Sequence, residues 1–221
     1  MRATYRLQLS PELDFAAVRE LVPYLRDLGV SHLYLSPSLQ ARSGSTHGYD
    51  VVDPTRVSEA LGGESGLREL VAPGLPVVLD IVPNHMGTGE ENRWWPDPEI
   101  FDVDEQTGFY RRFFDIDDLA AVRMEREEVF ALVHGKVLEL VREGVVEGLR
   151  IDHPDGLADP AGYLRRLREA VGPGVGVWVE KILAVDERLR DWPVDGTVGY
   201  EFLGDVTALF VDPAGEAPLT A

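Results

Sequence analysis

Cysteine is absent from the 221 residues. That removes disulfides, thiolate metal sites and thiol nucleophiles together, and it suits a reducing cytoplasm. Basic residues are scarce: 21 Lys and Arg stand against 39 Asp and Glu, a formal net charge of −18 at pH 7. A surface this acidic repels nucleic-acid phosphates and anionic lipid, so neither nucleic acid nor membrane is expected as a partner. No apolar run approaches the ~18 residues of a membrane span, and Met1-Arg2-Ala3-Thr4-Tyr5-Arg6 passes directly into strand-like alternation without an apolar signal segment. Phosphate-binding glycine fingerprints are missing too. Gly62-Gly63 lacks both the G-x-G-x-x-G and the G-x-x-x-x-G-K-[ST] context, which argues against a nucleotide cofactor. What remains is ordinary globular composition, 44% apolar and 27% charged, in a length that fits one or two domains.

Two hydrophobic periods alternate along the chain. Strand-like segments rich in β-branched and aromatic residues recur at Arg2 to Leu9, Val30 to Leu35, Leu75 to Val82, Val146 to Ile151, Val175 to Ile182 and Thr197 to Phe202. Helical periodicity lies between them. Asp14 caps a helix with Phe15, Val18, Leu21, Val22, Leu25 and Leu28 on one face, Gly29 as its stop and Pro23 as an expected kink. A second helix repeats Val129, Val133, Val137, Leu140 and Val141 up to Gly144, and a third starts at the Asp159-Pro160 cap and carries Tyr163, Leu164 and Leu167. A shorter one is expected over Glu64 to Val71. Strands separated by helices predict an α/β fold with a parallel sheet, closed as a barrel or open as a doubly wound sheet. The irregular stretch 83–123 is too long for an ordinary connection and reads as a functional loop.

On a parallel barrel, chemistry comes from the C-terminal ends of strands. Three of these ends are polar: Asp80, Asn84 and His85 on the third strand, Arg150, Asp152 and His153 on the fourth, and Glu180 with Lys181 on the fifth. Alternation puts Asp80 with Asn84, Arg150 with Asp152, and Trp178 with Glu180. Adjacent strands ~4.8 Å apart would hold Asp152 and Glu180 near the ~5–5.5 Å carboxylate separation of retaining glycosidases. Arg150 is expected to keep Asp152 ionised as a nucleophile, while Glu180, set among valines, is expected to be buried and protonated as a general acid. Lys181 falls on the opposite face, and Asp80 would orient Arg150. Asp80, Asn84 and His85 can also be read as oxygen and nitrogen metal ligands, but no second ligand cluster supports them, so no metal is expected. Asp159 reads as a helix cap, and His134 and His32 as structural residues. Trp94-Trp95 could stack on a sugar or anchor its loop.

The segments Asp80 to His85, Gly148 to Asp152 and the Glu180 strand resemble the first three conserved regions of the α-amylase superfamily, in order. More narrowly, TYRLQL (4–9), HLYLSPSLQARSGSTHGYDVVDPTRV (32–57), GLRIDHPDGLADPAGYL (148–164) and WVEKIL (178–183) resemble the maltooligosyltrehalose synthase family. That resemblance implies a (β/α)8 TIM-barrel catalytic domain, no cofactor, and a maltooligosaccharide or α-glucan substrate. It makes Asp152 the nucleophile and Glu180 the acid/base, with Arg150, His85 and Tyr49 lining the sugar site. Asp80 and Asn84 belong to the same substrate-binding set, and His47, Asp50, His153 and Asp155 serve the reducing-end side. The implied reaction converts the terminal α-1,4 bond into an α,α-1,1 bond; hydrolysis on the same carboxylates, or glucan binding without catalysis, is the alternative. The chain is shorter than that family's members, with six strand signals where a barrel has eight, and the third carboxylate expected near strand seven is absent. Residues 1–221 are therefore expected to be the N-terminal part of a barrel domain, a fragment or a reduced relative, with 83–123 a reduced insertion after strand three. Alone it should have little activity, and a second polypeptide or self-association should cover its open edges.

Overall fold

The computed structural model describes residues 1–72 and 74–220. In chain order the elements are β1 (Thr4–Leu7), α1 (Phe15–Asp27), β2 (His32–Leu35), β3 (Leu39–Ala41), β4 (Val51–Val57), α2 (Gly63–Val71), β5 (Val77–Ile81), β6 (His85–Gly87), β7 (Arg112–Phe113), β8 (Ile116–Ala121), α3 (Glu127–Arg142), β9 (Gly148–Ile151), α4 (Pro160–Val171), β10 (Gly176–Val179), β11 (Gly196–Thr197), α5 (Tyr200–Ala208) and α6 (Glu216–Thr220). The principal sheet has the order β1-β2-β5-β9-β10-β11, parallel throughout. β5 and β9 are buried along their whole length, which is why they read as unbroken apolar runs rather than alternating ones.

The helices that cover this sheet start and stop where the side chains dictate. Asp14 Oδ1 accepts from the Ala17 backbone N–H at 2.8 Å, and Asp159 Oδ1 from Gly162 N–H at 2.8 Å with Pro160 in the first turn. Gly29, at φ 89°, ends α1 in a conformation that costs glycine least. Phe15, Val18, Val22 and Leu25 are buried as expected, but Leu21 and Leu28 lie on the exposed side, and α1 runs on through Pro23. Val129, Val133, Val137, Leu140 and Val141 of α3 meet Tyr163, Leu164 and Leu167 of α4 in one continuous core.

Three features depart from the sequence reading. The expected sixth strand pairs only at Gly196–Thr197; Gly199, at φ 79°, turns the chain, and Tyr200 and Phe202 open α5 instead. An antiparallel β3–β4 pair stands between β2 and α2. Residues 83–123 are not a bare loop, because they contain the antiparallel sheet β6-β8-β7.

The six parallel strands form an incomplete barrel wall. Thr4 of β1 and Thr197 of β11, at opposite edges, line the same cavity of about 270 Å³ with Tyr34, Arg150 and Trp178, so the sheet curves back on itself without closing. Beyond β11 most of the described large apolar residues are exposed: α5 fully buries no side chain, and Phe202 and Phe210 are 69% and 85% exposed. Among the described residues no helix is long and apolar enough to cross a membrane.

Candidate active site

The site is assembled from three consecutive strand ends. Asp80 pairs in register with Arg150, and Arg150 with Trp178. The ladder then continues one step further, through Asp152 N–H to Ile81 C=O at 2.9 Å and Glu180 N–H to Ile151 C=O at 2.8 Å. Asp152 and Glu180 therefore stand opposite one another on neighbouring strands. Such strands lie about 4.8 Å apart, close to the ~5–5.5 Å of retaining carboxylate pairs and short of the ~6.5–9.5 Å of inverting ones.

One guanidinium ties three carboxylates together. Arg150 Nη1 reaches Asp80 Oδ1 at 2.7 Å and Asp152 Oδ1 at 2.6 Å, and Nη2 reaches Glu180 Oε1 at 3.3 Å. Burial works against the Arg150 charge, yet Asp80, Tyr34 and Asp152 hold it more firmly protonated than usual. Burial pushes Asp80 upward against the pull of Arg150. It also pushes Asp152 up to about 7, opposed by Arg150 and reinforced by Asp80 and Glu180. This corrects the sequence expectation, in which Arg150 alone would keep Asp152 ionised: a single cation cannot neutralise three acids, and the Asp152 side chain is only 9% exposed. Glu180, expected to be enclosed by valines, leaves 32% of its side chain open.

A relay of polar groups reaches this cluster from β1, β2 and the β3–β4 connection. Tyr49 OH donates to Asp80 Oδ2 at 2.7 Å, Tyr34 OH donates to the same oxygen at 3.3 Å, and Arg6 Nη2 donates to Tyr49 OH at 3.0 Å. Burial, aided by Asp80, pushes the Tyr34 phenol up to about 12 and Tyr49 upward as well, so both stay hydrogen-bond donors. Gln8 Nε2 donates to His47 C=O at 3.0 Å. Arg6, Gln8 and Tyr34 escaped the sequence reading. The available signal was the β1–β2 alternation, because Arg6 and Tyr34 are cross-strand partners on one face.

A cavity of about 490 Å³ brings together His47, Tyr49, Asp50, His85, Asp152, His153 and Glu180. Phe113 and Phe114, which carried no motif, complete its wall. Phe113 stacks on His85 with ring centroids 4.0 Å apart. Burial, with His153 nearby, pushes His85 down to about 3, leaving a neutral imidazole whose Nε2 is buried without a hydrogen-bond partner among the described residues. Four expected residues lie off the wall of this cavity. Arg150, expected to line the sugar site, meets it only through its carboxylate partners and lines a neighbouring cavity with Arg6, Tyr34, Tyr49 and Glu180. Asp80 is buried beneath the first cavity. Asn84 packs under the turn after His153, where a Cβ on Gly156 would come within 2.4 Å of Asn84 Oδ1. Asp155 turns outward to Lys181 Nζ at 2.9 Å.

The remaining candidates are structural. Trp95 meets Phe101 and Tyr110 edge-on and anchors its loop, and His134 is buried against Tyr163 OH at 2.8 Å. The oxygens of Asp80 are already occupied by Arg150, Tyr49 and Tyr34, which leaves the Asp80, Asn84 and His85 group poorly suited to a cation. Glu64, Glu139 and Glu143 cluster elsewhere, but Arg68 and Lys136 already pair with them.

The geometry has counterparts among known proteins. The family described as "Alpha amylase, catalytic domain" matches residues 13–99. A putative maltooligosyl trehalose synthase of Mycobacterium tuberculosis is 40% identical over 99% of this chain. The solved maltooligosyltrehalose synthase of Arthrobacter ramosus superposes with a TM-score of 0.91 at 39% identity, covering 100% of this chain and 40% of that one. A hypothetical maltooligosyl trehalose synthase of Sulfolobus tokodaii superposes at 0.82 with 35% identity, covering 95% of this chain and 39% of its own. The chain spans about 40% of the length of the curated relatives it matches.

Proposed function

The chain belongs to the α-amylase superfamily, in its maltooligosyl trehalose synthase branch, and from that premise we propose that it carries the nucleophile and acid/base of an intramolecular α-glucan transglucosylase. The reaction is a (1→4)-α-D-glucan 1-α-D-glucosylmutase step on the reducing end of a maltooligosaccharide. One observation carries the reading: Asp152 and Glu180 face one cavity from neighbouring strands and share the guanidinium of Arg150. Asp152 in its ionised form attacks the anomeric carbon of the penultimate sugar, and Glu180 protonates the departing glycosidic oxygen. The released glucose stays bound and turns. Its anomeric hydroxyl then loses a proton to Glu180 and attacks the glycosyl–Asp152 ester, closing an α,α-1,1 bond and freeing the carboxylate. No water is consumed and configuration is retained.

Tyr49, His85, His47, Asp50 and His153 line the cavity where the two sugars would sit. Asp80 acts through Arg150 and Tyr49 rather than on the sugar. Residues 1–221 are read as the N-terminal part of a barrel catalytic domain, with 83–123 inserted after its third strand. The unpaired edges of β1 and β11 and the uncovered apolar face of α5 support coverage by a further polypeptide segment. The absence of cysteine supports action in a reducing cytoplasm.

Incubation with maltopentaose tests the reading. A synthase removes reducing ends without shortening the chain, a hydrolase creates reducing ends, and a protein that only binds glucan changes neither.

A further inference from the structure

The Glu180 side chain is held by a contact from the segment that follows Asp152. Glu180 Oε2 accepts a hydrogen bond from the backbone N–H of His153 at 2.9 Å. That N–H belongs to the peptide that follows Asp152, and at His153 the chain enters the left-handed region, at φ 45° and ψ 53°, and turns away from the strand. Further contacts hold the turn that follows. Arg111 Nη1 donates to Gly156 C=O at 2.6 Å. The one group that ties this turn to the Glu180 strand by side-chain charge, among the described residues, is Lys181: its Nζ lies 2.9 Å from Asp155 and 2.8 Å from Glu187. Lys181 follows Glu180 in sequence and faces away from the cavity, its side chain only 19% exposed.

We propose that Lys181 and Asp155 are positioning residues: their ion pair braces the turn that follows Asp152 against the segment that follows Glu180 and so keeps the His153 backbone N–H on the Glu180 carboxylate. The pair spans the two strand ends on the side away from the cavity, which makes it a brace between the segment after Asp152 and the segment after Glu180. A carboxylate that must give up and take back one proton benefits from a donor that cannot rotate away. Asp155 thereby serves the reducing-end side through the backbone rather than by touching sugar. The inference rests on the reading of Glu180 as the acid/base.

The test uses the His153 amide in the 1H–15N spectrum of the full 221-residue chain. Glu180→Gln should move this resonance upfield, because an amide oxygen is a weaker acceptor than a carboxylate. Asp155→Asn and Lys181→Met should each move it the same way and speed its hydrogen exchange about two- to fivefold, Lys181→Arg should restore it, and the amides of Ile151 and Val179 should stay in place. Glu187→Gln removes the other partner of Lys181 and should leave His153 unmoved. The proposal is overturned if Lys181→Met or Glu180→Gln leaves the amide unchanged, or if Glu187→Gln disturbs it as much as Asp155→Asn. A maltopentaose assay that creates new reducing ends, with these shifts intact, would reject the transglucosylase reading in favour of hydrolysis and leave the brace standing.

Discussion

Replacing Asp152 by Asn should make the protein more stable at pH 8 while removing its proposed nucleophile. Burial raises this carboxyl from 3.8 to about 7, so the folded protein holds a proton there that the unfolded chain gives up at lower pH. Between about 4 and 7 the folded state binds more protons than the unfolded one, and stability falls as pH rises through that window. A shift of about 3 units, at about 1.4 kcal/mol each, means that the ionised form costs the fold about 4 kcal/mol at pH 8. At pH 5, where the native carboxyl is protonated, about 2–3 kcal/mol of that cost is gone. Asn keeps an acceptor for Arg150 and carries no charge, and Arg150 retains Asp80 and Glu180, so no unpaired cation is left behind. Thermal melts of wild type and Asp152→Asn at pH 5 and pH 8 isolate the effect, because other titrating groups are common to both. The advantage of the variant should grow by about 2–3 kcal/mol, or roughly 5–10 °C in Tm for a domain of this size, between the two pH values. A pH-independent difference, or a variant that loses stability faster than wild type on going to pH 8, would refute the argument that burial outweighs Arg150.

In a chain joined to the rest of its barrel, Glu180→Gln should suppress turnover of maltopentaose far more than of an activated glycosyl fluoride, whose leaving group needs no proton, whereas Asp152→Asn should stop both; fluoride release measured beside glucan conversion checks this, and equal losses for Glu180→Gln would contradict its role as acid. Tyr49→Phe removes a 2.7 Å donor from the buried Asp80 carboxyl and should cost about 1.5–3 kcal/mol in urea unfolding; an unchanged midpoint would place the stabilisation of Asp80 elsewhere. Phe202→Asp with Phe210→Asp, both on the uncovered surface after β11, should shift sedimentation toward a single monomeric species. If association is unaltered by that double substitution, the exposed edges of β1 and β11 are the stickier surface.

Legibility in the sequence followed from how local each determinant was. Asp14 and Asp159 act within one turn, and both caps could be read directly. The strand ends Asp80, Arg150, Asp152 and Glu180 were legible because alternation along a strand fixes which side chains share a face. Burial at those ends was not. Whether Asp152 or Glu180 is the more enclosed depends on neighbours from distant segments, and the valines flanking Glu180 point to the other face of its strand. Val198, Tyr200 and Phe202 alternate like a strand, but Gly199 breaks the run and a helix follows; with no tertiary cover, hydrophobicity there is a poor guide to period. The β3–β4 pair was hidden by Pro54 within β4 and by the nine polar or small residues that separate Ala41 from Val51. Phe113 and Phe114 belong to no motif and reach the cavity only because a hairpin from 83–123 folds over it.

The spacing between the proposed acid and nucleophile is a property of a hydrogen-bond ladder. Because Asp152 and Glu180 extend the β9–β10 register, their separation is inherited from the pitch between parallel strands and not from any loop. Loops around them can lengthen, shorten or be exchanged without altering that interval, which is what a scaffold needs if the same bond-breaking pair is to serve many sugar geometries. The two carboxylates also lie on strands flanked by β5 and β11, so each is held by a paired neighbour on both sides and neither stands on an edge of the sheet.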